Sequence, residues 1–287
     1  MQTVTSNDGT TIAYDKHGSG PTVILIGGAM SYRKFSKMEE IAEKLAAAGA
    51  TVVNYDRRGR GDSTEATPFA HETALEREIE DLAAIIEAEG GSASLWGWSS
   101  GGALALRAAA ALDGVERVSV YEVPFIVDPE HDYPTPDYEE RLDELVAAGD
   151  RGGAVKHFMR SAIGLPAPFV FAMQLMPIWK GLKATAHTLP YDWEALDGKN
   201  TMYGAPLSVE EFGAVDMPAQ VVAGDKSDKV LRQSSKALAR VLPDSEHTEL
   251  AGVSHNVKVD ALIPAIAPFL TGERGRANRA ASTLATV

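Results

Sequence analysis

Residues 93–104 read Ala93-Ser94-Leu95-Trp96-Gly97-Trp98-Ser99-Ser100-Gly101-Gly102-Ala103-Leu104. An apolar run of strand character passes through Gly97-Trp98-Ser99-Ser100-Gly101 into an Ala-rich stretch with helical character down to Leu112. The glycines two residues either side of Ser99 allow a turn too crowded for other side chains. A serine there is exposed, strained and open to a neighbouring base. The N–H groups of the following helix point to where negative charge would develop. G-x-S-x-G alone recurs by chance; the switch from strand to helix around it is what marks Ser99 as a candidate nucleophile.

Working outward, the 287 residues, 45% of them hydrophobic, suffice for one large α/β core with an insertion. A net charge of −13 argues against nucleic acid and anionic membrane surfaces as partners. With no cysteine, disulfides, thiolate–zinc sites and thiol nucleophiles are excluded, and a reducing, cytoplasmic setting fits. No signal peptide is visible at Met1-Gln2-Thr3-Val4, and no apolar run is long enough to predict a transmembrane helix. There is no P-loop, dinucleotide fingerprint or histidine cluster, so no cofactor or metal is expected. The expected partner is a small-molecule substrate, with the chain as monomer or homodimer.

Strands and helices are expected to alternate. Strands are predicted at 3–6, 11–15, 22–26, 51–55, 94–96, 118–122, 220–223 and 247–250. Helices are predicted from Phe35 to Ala48, from Thr73 to Glu89 behind a Thr73-x-x-Glu76 capping box, and from about Lys258. The pattern calls for a mostly parallel sheet flanked by helices. From Pro124 to Ala214 no buried strand is evident, which predicts a helical insertion, with one helix opened by Asp137-x-x-Glu140. Its Phe158, Met159, Ile163, Phe169, Phe171, Met173, Met176, Trp179, Tyr191 and Trp193 form either a small core of their own or part of an apolar pocket. The expected division is a core of 1–123 and 215–271, a helical cap of 124–214, and a disordered tail of 272–287.

These motifs together resemble the α/β-hydrolases with a helical cap, over about residues 10 to 271. Besides the turn at Ser99, the family's turn after the fourth strand appears as Asp56-Arg57-Arg58-Gly59-Arg60-Gly61-Asp62-Ser63, and its loop after the third as Ile26-Gly27-Gly28-Ala29-Met30. The resemblance implies an eight-stranded sheet and an oxyanion hole made by the backbone N–H groups of Ala29 and Ser100. It places the general base last in the chain, at His255 in Gly252-Val253-Ser254-His255-Asn256. Gly28, Met30, Trp98, Pro124 and Trp179 are expected to line the substrate pocket.

The triad acid has two candidate positions. Most relatives carry it as Gly-x-x-Asp after the seventh strand, but Gly224-Asp225-Lys226-Ser227-Asp228 puts Ser227 there and Asp228 one residue late. The alternative is Glu122, a carboxylate ending the apolar strand Val118-Ser119-Val120-Tyr121, costly to bury without compensation. Zearalenone-type lactonases are similar here, with Trp-Gly-x-Ser-Ser-Gly at the serine and Glu-x-Pro after strand six, as in Trp96 to Gly101 and Glu122-Val123-Pro124. The resemblance favours Ser99, Glu122 and His255, with Asp228 as the other acid. Hydrolysis of an ester or lactone of a bulky apolar molecule is expected. Carbon–carbon bond hydrolysis, or small-molecule binding without catalysis, are the alternatives.

Overall fold

The computed structural model describes residues 1–65, 71–131 and 134–272. Two antiparallel strands, β1 (Gln2–Thr5) and β2 (Thr11–Gly18), lead into the parallel strands β3 (Thr22–Ile26), β4 (Thr51–Tyr55), β5 (Ala93–Trp98), β6 (Val115–Tyr121), β7 (Ala219–Gly224) and β8 (Ser245–Leu250). They form one eight-stranded sheet in the order β1-β2-β4-β3-β5-β6-β7-β8, with β2 antiparallel to β4. The expected disordered tail lies, apart from Gly272, outside the described residues.

The sheet is buried on both faces, which is why its central strands are apolar throughout rather than alternating. In β3, Val23 and Leu25 face α1 (Ser36–Ala47) and α12 (Val259–Leu270), while Ile24 and Ile26 face the larger core. That core includes α2 (Ala74–Ala88), α3 (Ser100–Ala111) and α11 (Lys229–Val241). Helix α1 stops where the sequence predicts, at a Gly49 with φ of +95°.

Two capping expectations are not met. Thr73 and Asp137 stand at the N-cap positions of α2 and α4 (Tyr138–Ala147), but neither makes the side-chain cap bond. Their ψ values of 7° and 12° are far from the extended backbone that lets an N-cap side chain reach back over the first turn.

Between β6 and β7 the described chain is helical: α4, α5 (Arg151–His157), α6 (Ala167–Met173), α7 (Ile178–Thr185), α8 (Leu189–Leu196), α9 (Gly198–Thr201) and α10 (Val209–Gly213). Its apolar residues divide. Met159, Tyr191 and Trp193 are buried, whereas Ile163, Phe169, Phe171 and Met176 are exposed. Helix α8 packs directly on α2 and α3, so this part of the insertion is continuous with the core. Among the described residues, no helix is long and apolar enough to cross a membrane.

Candidate active site

Ser99 joins β5 to α3 with φ 57° and ψ −129°, a conformation few non-glycine residues adopt. The flanking glycines are required by contact. A Cβ on Gly97 would lie 2.4 Å from the Gly101 carbonyl oxygen, and one on Gly101 2.3 Å from that of Ile26. Gly28 lies against the turn from the β3 loop: a Cβ there would stand 2.9 Å from that of Ser99. Among the described residues, neither the Ala29 nor the Ser100 N–H donates to a protein carbonyl in the loops and turns.

The Ser99 N–H donates to the Tyr121 carbonyl at 2.9 Å, which sets the serine beside the end of β6. Glu122 follows Tyr121 at once, fully buried, with a positive φ of 50°. Three donors compensate its buried charge. The Gly224 N–H reaches Oε1 at 2.7 Å, the Ser227 hydroxyl donates to the same oxygen, and His255 Nδ1 stands 2.8 Å from Oε2. Among the described residues, the ion-pair partner of Glu122 is the histidine and not an arginine. Asp228 is exposed at the N-cap of α11. Asp225 accepts from the Gly252 N–H at 2.7 Å, tying down the loop that carries His255.

That loop is close-packed. The Val253 carbonyl accepts from Lys226 N–H at 2.9 Å, and a Cβ on Gly224 would meet that oxygen at 2.3 Å. Tyr121 donates its hydroxyl to the Ser254 carbonyl at 2.7 Å. Burial, and then the Glu122 charge, push this phenol well above its ordinary pKa, so it remains a donor. The Trp98 ring centroid is 6.0 Å from that of His255. Because Nδ1 faces a carboxylate, it carries the proton, leaving Nε2 as the basic nitrogen. Among the described residues no hydrogen bond joins Ser99 Oγ to His255; in unliganded sites such bonds are commonly long.

Of the residues expected to line a pocket, Gly28 and Trp98 stand at the serine and the histidine. Met30 is buried in the main core with a φ of 58°, in a turn closed by Ser31 N–H on the Gly28 carbonyl at 3.1 Å. Pro124 is half-buried just past Glu122, and Trp179 packs against the main core from α7.

Beneath the site lies a charge network that the sequence reading missed. Arg57 pairs with Glu78 and Asp192, and Arg60 with Asp192 and Thr188, all of them buried. The visible signal was Asp192 itself, a carboxylate within the apolar run Leu189-Pro190-Tyr191-Asp192-Trp193. Nearby His187 has its pKa pulled down to about 4, by burial first and then by the Arg151 and Arg60 charges.

The profile of the alpha/beta hydrolase family matches residues 17–262, and the chain belongs to that family. It is similar to the crystal structure of an alpha/beta hydrolase from Sphaerobacter thermophilus, at 44% identity with a TM-score of 0.83. The match covers 93% of this chain and 99% of that one. An enol-lactonase from Burkholderia xenovorans shares the fold at 20% identity and a TM-score of 0.67, over 94% of this chain and 100% of that one. So does a thermophilic esterase from Thermogutta terrifontis at 21% identity and 0.60, over 97% and 96%. No curated protein sequence matches the chain significantly.

Proposed function

We propose that this chain hydrolyses an ester or lactone bond of a fairly bulky, apolar small molecule, with Ser99 as nucleophile, His255 as base and Glu122 as the acid that orients it. The observation that carries this reading is the 2.8 Å contact between His255 Nδ1 and a buried Glu122, one residue beyond the carbonyl that holds Ser99. Similarity in fold to an enol-lactonase and an esterase supports the substrate class.

In this mechanism the Ser99 proton passes to His255 Nε2 as Oγ bonds to the carbonyl carbon. The carbonyl oxygen takes the negative charge and is held by the Ala29 and Ser100 N–H groups. The intermediate collapses, the alkoxide leaves, and His255 returns the proton to it. Water, deprotonated by the same imidazole, then cleaves the acyl-serine and restores the hydroxyl. Glu122 holds one tautomer throughout and stabilises the imidazolium in both steps.

The test is turnover of a panel of aryl esters and lactones. Ser99→Ala and His255→Ala should each lower kcat by on the order of 10⁴-fold or more on any substrate the wild type accepts, with KM little changed. Turnover by Ser99→Ala at the wild-type rate would refute the assignment.

A further inference from the structure

We infer that Asp192 and Arg60 are positioning residues for the oxyanion hole, through which helix α8 of the insertion fixes the direction of both hydrogen-bond donors. The inference rests on the function proposed above and adds to it a pair of groups that never touch substrate.

The first donor is oriented through its own peptide unit. In a trans peptide the Ala29 N–H points opposite to the Gly28 carbonyl. That carbonyl faces inward, accepting from Arg60 Nη1 at 2.9 Å, the Ser31 hydroxyl at 2.7 Å and the Ser31 N–H at 3.1 Å. Turning the carbonyl inward turns the N–H outward. The preceding carbonyl, of Gly27, accepts from Arg57 Nη1 at 3.3 Å, so both peptide planes of this loop are held by guanidinium groups.

The second donor belongs to Ser100, whose hydroxyl donates to Asp192 Oδ1 at 2.9 Å. The same carboxylate binds Arg57 at 2.5 Å through Oδ1 and Arg60 at 2.7 Å through Oδ2. Asp192 therefore joins the arginine that turns one donor to the residue that bears the other. Thr188, one helical turn earlier, completes the grip by accepting from Arg60 Nε at 2.9 Å. Glu78 supplies the second negative charge against Arg57, so two arginines face two carboxylates in a site where every member is almost wholly buried. A buried network of this kind is rigid when complete and costly when one member is removed. Were stability its only role, no contact with Gly27, Gly28 and Ser100 would be needed. The nearby pair Arg58–Asp81 is equally buried, and there the guanidinium binds Asp8 and the Arg77 carbonyl.

The experiment compares Asp192→Asn, Ser100→Ala and, as a control from the other pair, Asp81→Asn. Each is assayed on p-nitrophenyl butyrate and on its thionoester, whose sulfur accepts hydrogen bonds poorly and gains little from an oxyanion hole. Fold is checked by circular dichroism, and the wild type is labelled with a fluorophosphonate. Asp192→Asn should lower kcat on the ester by on the order of 10²-fold with KM within about 3-fold, since small misplacements at a reacting centre cost that much. Ser100→Ala, which keeps the amide and loses only the hydroxyl, should lose roughly 10-fold. In both, the loss on the thionoester should be several-fold smaller, whereas Asp81→Asn should leave the ester-to-thionoester ratio as in wild type. If Asp192→Asn does not fold, Ser100→Ala decides. Folded variants with wild-type kcat, or with equal losses on both substrates, would overturn the inference while labelling of Ser99 leaves the nucleophile standing. A wild type that fails to label at Ser99 would overturn both.

Discussion

Among the described residues, Met30, Ser99, Glu122 and Asp197 are the non-glycine residues with positive φ, and the first three sit on loops leaving β3, β5 and β6. Backbone in such regions costs on the order of 1–3 kcal/mol per residue and persists where the surroundings over-determine it. Its concentration around one serine is a stronger pointer than the motif alone. Glu122 was legible in the sequence as a carboxylate ending an apolar strand. The role of Ser227 was not: it occupies the place of an aspartate in most relatives, yet the structure uses it as a donor to Glu122. Nothing in a linear sequence tells that two strand ends meet. Glu122→Gln should reduce kcat by on the order of 10³-fold, and Asp228→Asn by less than about 2-fold, in steady-state assays on one ester. The double change Glu122→Ala with Ser227→Asp should recover at least about 10-fold over Glu122→Ala alone, because it returns a carboxylate to within reach of the imidazole.

The elements that were easiest to read are those whose period is imposed by the sheet. Strand β5 and helix α3 announce themselves because the pattern changes at Ser99, and the glycines around it are dictated by contact. Gly101→Ala should destabilise the protein by about 3 kcal/mol in urea unfolding, since a methyl cannot fit 2.3 Å from a backbone oxygen without moving β3. The insertion was legible only as helical. Its helices α5, α6 and α9 span seven residues or fewer, too short for a repeat to show which side is buried. The expected capping boxes failed for a related reason: a matching residue type does not fix the backbone angle of the residue that carries it.

At the scale of the molecule, the net charge of −13 conceals a set of arginines at the centre of the fold. Arg33, Arg57, Arg58 and Arg60 are each buried and each paired with carboxylates from distant segments. The sequence shows Arg57, Arg58 and Arg60 as a family turn; only the assembled structure shows that Arg57 and Arg60 join the insertion to the sheet. His187 sits at this junction, 3.6 Å from Glu65, and burial holds it neutral. Its folded pKa of about 4 lies below the usual 6.5, so its contribution is intact above pH 6.5 and is lost as pH falls toward 4. Melting temperatures measured between pH 4 and pH 7 should therefore fall more steeply for wild type than for His187→Gln; parallel curves would contradict this reading.

Covalent labelling reads the reactivity of the Ser99 hydroxyl itself. Mass spectrometry after treatment with a fluorophosphonate should find a single adduct, on the peptide bearing Ser99, and none in Ser99→Ala or His255→Ala. A wild-type protein that stays unmodified, or an adduct that persists in Ser99→Ala, would contradict the account.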